Sequence, residues 1–552
     1  MDSIHSSLNK LPRHDIKGFT DAETREHITY HELKDYATCI STALTKDLGL
    51  QQGDVITLYS RNTIWYPVIG LSAIRVGAVA CGVSPDYTAD ELAYSLRLSK
   101  TKFIFTSASA VERAHEAAEK AGLPRESVML IEGSAGDKLA TRQLIQKGQR
   151  YSNNEQVKPF QLPRGKTNRD VCGWLCFSSG TTGLPKAVMI SHANVIAQCL
   201  QVQQITPSDH RRILAALPFY HITGIVHQLH LPVALNANVF VLPNFTLDNM
   251  LKTVADHKIL ELLIVPPILI RLVREPHIAA KYDLSHVKRF SSGAAPLSKE
   301  ILDLLEKRFP RTGFKQGYGM TESCSCITAH PPSKYAYKYA HRVGTVVAST
   351  AVKIIDPETG KECGVGETGE VWARGPQITM GYLDNPKATA ETYDSEGFLH
   401  TGDIGSIDEE GLLSITDRLK EMIKVKGIGV APAELENFFQ GHPLVRDVAI
   451  CGIKDERAGE RPKAFIVLKD LKNDDVSPAG SQRSESSLGE IGRQLLEFAK
   501  PKLARHKWPV EVEFVSEIPK SAAGKILRRK LRQPGNVERG HRVRDDEPRA
   551  KI

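Results

Sequence analysis

Short apolar runs and longer amphipathic stretches alternate along the first third of the chain. Residues 53–59, 77–83 and 103–106 read as buried strands, the first two entered through a glycine turn. Between and before them, residues 29 to about 48 predict a helix opened by Thr29-Tyr30-His31-Glu32, residues 66–76 a buried helix, and residues 91–98 an amphipathic one. Such alternation predicts a largely parallel sheet with helices on both faces. Residues 171–177 and 187–190 are two further strands, and a helix begins at about Val195, where Ser191 or His192 can cap it. Residues 213–221 predict a strand that ends on His221. Residues 262–267, 291–297 and 316–322 are three more strand-to-loop steps. From residue 352 to 415 the rhythm shortens to strands between glycine turns, which predicts a small β subdomain. A small α/β unit follows, containing a Ser-rich loop at 474–488.

One loop stands out chemically. Between the strands at 171–177 and 187–190 runs Ser178-Ser179-Gly180-Thr181-Thr182-Gly183-Leu184-Pro185-Lys186. Its glycines let the backbone come close to a ligand and turn N–H groups inward, while the hydroxyls and Lys186 add donors and positive charge. A polyphosphate is the natural guest. The spacing is not that of the P-loop. In open α/β sheets ligands bind beyond the carboxyl ends of strands, where all of these loops should lie.

At 552 residues the chain is too long for one simple core. With 41% hydrophobic and 25% charged residues it has an ordinary globular composition. The net charge of +8 is concentrated near the end, at residues 525–549, which reads as a solvated basic tail and not as a nucleic-acid surface. The longest apolar run, 259–272, is interrupted by Glu261, Pro266 and Pro267 and is too short for stable membrane insertion. Residues 1–17 lack the apolar core of an export signal, and the nine cysteines read as reduced thiols. Cys172/Cys176 and Cys324/Cys326 have the wrong spacing for zinc and are expected in a core or pocket wall. The ending Ala550-Lys551-Ile552 resembles the tripeptide read by peroxisomal import receptors. It sets a peroxisomal expectation, with the cytoplasm as the alternative.

The loop at 178–186 resembles, residue for residue, the phosphate loop of the adenylate-forming (AMP-binding) enzymes. Four further segments are similar to that family's signatures, in the family's order: Pro218-Phe219-Tyr220-His221, Gln316-Gly317-Tyr318-Gly319-Met320-Thr321-Glu322, Thr401-Gly402-Asp403, and the stretch from Asp417-Arg418-Leu419-Lys420 to Gly524-Lys525. The resemblance spans residues 20 to 535 and is strongest to 4-coumarate–CoA ligases and related fungal and peroxisomal acyl-CoA ligases. It implies an α/β fold: a large N-terminal domain of layered α/β subdomains plus a small β subdomain (1–419), then a small mobile α/β lid (420–552).

The resemblance also implies the chemistry. An ATP-dependent ligase would adenylate a carboxylic acid, aromatic or medium-chain, and pass the acyl group to CoA with release of AMP and pyrophosphate. A stand-alone enzyme loading a carrier protein and a luciferase-like oxygenase are the alternatives. ATP, Mg²⁺ and CoA are the implied cofactors and co-substrates. Ser178, Ser179, Gly180, Thr181, Thr182, Gly183 and Lys186 would hold phosphates. Gln316, Gly317, Tyr318 and Gly319 would line the adenine, with Tyr318 stacked beneath it. Asp403 and Arg418 would fix the ribose, and Glu322 would hold Mg²⁺. Thr321, His221, Lys525 and Lys424 would be catalytic, with Lys420 at the hinge and Lys426 and Gly427 on the lid face. The acyl pocket would be walled by His221, Thr223, Gly224, Gly293, Ala294, Gly317, Met320 and Cys324. This chain has Gly429 where plant members carry a glutamine that assists thioester formation, which puts a side-chain role there in doubt.

Overall fold

The computed structural model describes residues 17–136, 138–178, 185–293, 297, 299–419, 421–425, 428–455, 458–469, 485–520, 526–533, 537 and 539–545. The alternating pattern of the first third builds a six-stranded sheet. Its order is Val128–Leu130, Thr101–Thr106, Val55–Tyr59, Val79–Val83, Cys172–Ser178 and Lys186–Ser191. All neighbours are parallel except the last two strands, which form an antiparallel pair. The helices between these strands begin where the chemistry says they should. Thr29 caps Tyr30–Lys46: its hydroxyl accepts from the Glu32 N–H at 3.1 Å, and the Glu32 carboxylate accepts from the Thr29 N–H at 2.8 Å. Thr88 and Glu91 repeat the device for Ala89–Ser99. Each such cap is worth about 1 kcal/mol. Ser191, not His192, caps His192–Gln204.

A five-stranded sheet follows: Glu261–Leu263, Arg289–Ser292 and Gly313–Met320 in parallel, then Ser325–Ala329 and Thr345–Val346 antiparallel. A four-stranded sheet, His27–Thr29, Gly18–Asp21, Asn238–Val241 and Arg212–Ala215, stands beside these two. The glycine-punctuated region is an antiparallel four-stranded sheet of Ala351–Ile355, Gly369–Arg374, Leu399–Ile407 and Leu413–Arg418. Residues from Ile423 onward form the last sheet, and its two apolar clusters contain only residues from that part of the chain. The α/β architecture with a small β subdomain and a C-terminal α/β unit is therefore as expected. No helix among the described residues is long and apolar enough to cross a membrane.

Three local readings need correction. The strand expected at 213–221 stops at Ala215. Beyond it the buried Asn62 amide donates to the carbonyls of Ala215 and Leu217 and its oxygen accepts from the Phe219 N–H, so the backbone is satisfied without a ladder. The loop expected to run to residue 488 gives way to a helix, Glu485–Ala499. The basic tail is not merely solvated. Arg539–Arg544 is a sheet edge whose Arg542 and Arg544 pair with Glu513 at 3.0 Å and Glu511 at 2.8 Å, so part of the positive charge neutralises buried carboxylates.

Candidate active site

Ser178 and Lys186 face each other across the antiparallel pair that bounds the phosphate loop, so the loop begins and ends on adjacent strand termini. Ser179, Gly180, Thr181, Thr182 and Gly183 lie outside the described residues. The Lys186 ammonium rests 4.5 Å from the centre of the Tyr382 ring. The Tyr382 hydroxyl donates to Glu322 Oε1 at 2.9 Å. Burial and the adjacent carboxylate push the Tyr382 pKa up, so the phenol remains a neutral donor. One tyrosine therefore joins two residues expected in separate roles, one on phosphate and one on metal.

That tyrosine is placed by the backbone. The Met189 N–H donates to the Gly381 carbonyl and the Leu383 N–H to the Ala187 carbonyl, at 2.9 and 2.8 Å, which docks residues 381–383 on the strand carrying Lys186. Gly381 has φ +106°, and a Cβ there would lie 2.5 Å from a Thr389 methyl, so the position needs glycine. Glu322 sits on the single 3₁₀ turn Thr321–Ser323 that ends strand Gly313–Met320, with Thr321 partly exposed beside it. The Thr379 N–H and hydroxyl both donate to the Glu322 carbonyl at 3.0 Å. Cys324 and Ser325 then take φ values of +48° and +101°, left-handed backbone in two successive non-glycine residues. Such conformations cost on the order of 1–3 kcal/mol each and cluster at functional sites. Gly319 permits the turn: a Cβ there would lie 1.6 Å from the Ser325 carbonyl oxygen.

The expected ribose residues are brought together as well. Asp403 and Arg418 oppose each other on neighbouring strands, and Arg418 Nε is 3.1 Å from Asp403 Oδ1. The Tyr318 hydroxyl donates to the other oxygen, Oδ2, at 2.7 Å. Gln316 is buried in its strand, where its N–H donates to His330 Nδ1 at 3.1 Å.

On the expected acyl side, His221 follows a tight turn in which its N–H donates to the Pro218 carbonyl at 3.1 Å. Burial lowers its pKa, so the imidazole is neutral at neutral pH. Gly224 is required there, because a Cβ would come within 2.1 Å of the same carbonyl oxygen. Thr223, Gly317 and Met320 keep partial exposure. A Cβ on Gly293 would lie 3.1 Å from the Gly317 carbonyl oxygen. Ala294 lies outside the described residues. Cys324 does not belong to the wall. It is fully buried in the main apolar core, and its left-handed backbone turns its thiol inward among core side chains. On the C-terminal unit Lys424 is exposed, opposite Gly429 in a strand pair. Lys420, Lys426, Gly427 and Lys525 lie outside the described residues. Among the described residues no three or more His, Cys, Asp or Glu side chains are grouped to hold a metal. The residue that sequence reasoning missed is Tyr382. Its only signal was the Gly381-Tyr382 pair within a run of otherwise assigned segments.

The profile of the "AMP-binding enzyme" family matches residues 11–383, and that of the "AMP-binding enzyme C-terminal domain" matches residues 434–525. The chain is 34% identical over 517 residues to the peroxisomal OPC-8:0-CoA ligase 1 of Arabidopsis thaliana, covering 93% of this chain and 89% of that protein. It is 34% identical over 518 residues to 4-coumarate–CoA ligase 1 of Petroselinum crispum, covering 92% and 89%. The crystal structure of ATP-bound MatB from Rhodopseudomonas palustris superposes with a TM-score of 0.80 at 25% identity, covering 96% of this chain and 97% of that one. The chain belongs to the AMP-binding enzyme family, in its 4-coumarate–CoA ligase-like branch, and is an AMP-forming acyl-CoA ligase.

Proposed function

We propose that this ligase activates an aromatic or medium-chain carboxylic acid. The carboxylate oxygen attacks the α-phosphorus of ATP, the bond from that phosphorus to the bridging oxygen breaks, and pyrophosphate leaves. The CoA sulfur, having lost its proton, then attacks the acyl carbon and AMP departs. The observation that carries the reading is the convergence of Lys186 and Glu322 on Tyr382 at the base of the phosphate loop. The partly exposed Gly293 and Gly317 support a flat or slender acyl group.

In this reading Lys186 and the hydroxyls from Ser178 to Thr182 hold the β- and γ-phosphates. Thr321 and Lys525 meet charge developing at the α-phosphorus, where fixed donors act most strongly. Asp403 and Arg418 hold the ribose, with Tyr318 fixing Asp403. Glu322 suits Mg²⁺: it offers a hard oxygen beside the phosphate lysine, and its other oxygen is braced by a phenol. Bound there, the metal would neutralise phosphate charge. His221, neutral by burial, positions the acid without competing for the cation. The domain boundary falls at 419/420, with a lid of 420–552 that turns about Lys420 and exchanges Lys525 for the Lys424 face. The peroxisomal relative and the Ala550-Lys551-Ile552 ending together support a peroxisomal address.

Two single-turnover assays test this mechanism: acid-dependent pyrophosphate release, and conversion of supplied acyl-adenylate plus CoA to thioester. Lys525→Ala is expected to cripple the first and spare the second, and Lys424→Ala to do the reverse. Equal slowing of both steps by Lys525→Ala overturns the division of labour.

A further inference from the structure

Beside the pocket glycines lies a group of buried charges that the mechanism above leaves unused. Strands Glu261–Leu263, Arg289–Ser292 and Gly313–Met320 run parallel, with Glu261 opposite Arg289 and Ser291 opposite Lys315. Side chains alternate faces along a strand, so Lys315 shares a face with Gly317, two residues further on. Glu261 is already fully engaged: Arg289 Nε lies 2.9 Å from its Oε2, and the Ser291 hydroxyl donates to its Oε1 at 2.6 Å. Arg289 also reaches Asp209 at 2.7 Å. The Lys315 ammonium comes no nearer to Glu261 than 3.9 Å, beyond hydrogen-bond reach, although its side chain is only 13% exposed. Among the described residues it has no hydrogen-bond acceptor. Held by this longer ion pair alone, the ammonium keeps its N–H donors free for a further acceptor.

What surrounds it is polar and not closed off. His227 Nε2 lies 3.0 Å from the Ser325 hydroxyl and 3.7 Å from Cys326 Sγ, and a Cβ on Gly317 would stand 3.6 Å from that same sulfur. Burial, followed by the charge of Lys315, lowers the His227 pKa to about 3, so this imidazole adds no charge. Lys315, Gly317, Cys326 and His227 all keep partial exposure although they sit within or against a central sheet. They therefore face open space and not packed core.

We infer that Lys315 is a specificity-determining residue, whose ammonium takes a neutral acceptor oxygen, hydroxyl or carbonyl, at the end of the substrate acid remote from the reacting carboxylate. The inference rests on the reading above that the cleft lined by Gly293 and Gly317 holds the acyl group. The oxygen is neutral because the Lys315 ammonium already has one carboxylate, Glu261, at 3.9 Å. A second carboxylate would face Glu261 across the same ammonium. An apolar end would leave the ammonium's N–H donors without an acceptor.

The test is a matched series of acids of one chain length, ended by methyl, hydroxyl, ketone or carboxylate, assayed by acid-dependent pyrophosphate release and thioester formation. The full chain should prefer the hydroxyl- and ketone-ended acids over the methyl-ended acid by about 10- to 100-fold in kcat/KM, since a site built to bond an oxygen rejects analogues that lack it. The carboxylate-ended acid should also fall below them. In Lys315→Met the preference should collapse toward unity, and in Lys315→Arg, which keeps donors, a part of it should return. Melting curves of both variants establish that they fold. If the methyl-ended acid is preferred, or if Lys315→Met keeps the same ranking, the inference is overturned while the ligase reading stands. If no acid of aromatic or medium length gives thioester, the substrate reading fails and this inference with it.

Discussion

Two carboxylate sites, one on each side of residue 420, are built in opposite ways. Around Glu322 a single carboxylate accepts from a neutral phenol, Tyr382, and the Lys186 ammonium rests on that phenol's ring. Around Arg528 the charges are locked together. Its guanidinium pairs with Glu421, lies 2.6 Å from Glu436 Oε1, and donates through Nε to the Ile450 carbonyl at 3.0 Å. Asp417, from the preceding strand, accepts from the Ala433 and Arg418 N–H groups nearby. The first arrangement leaves charge available to a ligand. The second consumes it internally, on the segments that flank residue 420. The contrast separates a place built to bind from a place built to hold.

The largest effect should come from breaking the holding cluster. Arg528→Leu leaves Glu421 and Glu436 buried without their cation, a change that typically costs about 3–5 kcal/mol. Denaturant titration of the full chain should show that loss, and an unchanged midpoint would mean the carboxylates find other partners. The same cluster carries a pH signature. Burial raises Glu436 to about 7, with Arg528 pulling the other way. A carboxyl whose folded pKa lies above its unfolded value of 4.5 binds its proton more tightly in the folded state. Its ionisation therefore removes stability as pH rises from about 4.5 to 7. Glu436→Gln mimics the protonated form, so its melting temperature relative to the parent should climb across that window and level off above it. A flat difference would show that Glu436 is ionised throughout.

Next in size is the binding cluster. Glu322→Gln should reduce acid-dependent pyrophosphate release by roughly 10²–10³, the scale for losing one preorganised electrostatic contact, with the melting curve unchanged. Tyr382→Phe should do less. It keeps the ring beneath Lys186 and removes the hydroxyl from Glu322. The expected result is a rise of about tenfold in the Mg²⁺ concentration that half-saturates ATP binding by calorimetry, the scale of one hydrogen bond to a charged group, with metal-free ATP binding nearly unaltered. Tyr382→Leu removes the ring as well and should weaken both.

Local chemistry made much of this legible in advance. Thr29 with Glu32 marked a capped helix, and the alternation of strands and helices marked a parallel sheet, because both depend on neighbours in sequence. Asp403 and Arg418 were paired through family signatures, and the strand register brings them together. What escaped is what only folding assembles. Tyr382 acquires its position through a backbone bridge to the strand carrying Lys186 and its partner through the turn at Glu322. The strand expected to end on His221 was cut short by Asn62, a side chain from a distant loop, and Cys324 was turned into the core by a backbone angle that no apolar pattern reveals.

The smallest effect expected concerns Gly429, and it tests whether the exposed face of the C-terminal unit is as tolerant as the cluster behind it is not. Gly429 is exposed on strand Ile428–Val430, opposite Lys424. Its φ is not in the left-handed region, so a side chain meets no backbone strain there. A Cβ would come within 2.7 Å of one atom only, the Met422 Cε, the far end of a flexible side chain that can swing aside. Gly429→Gln should therefore fold with a melting temperature close to the parent's. Glycine within a strand also weakens it, so a slight gain is within the expected range. The functional outcome is read in the thioester half-reaction alone. If a side-chain amide beside Lys424 helps orient the thiol, the rate from supplied acyl-adenylate and CoA rises a few-fold while pyrophosphate release is untouched. If neither rate moves, this enzyme orients CoA without a side chain at 429, and the face around Lys424 works through its charge alone.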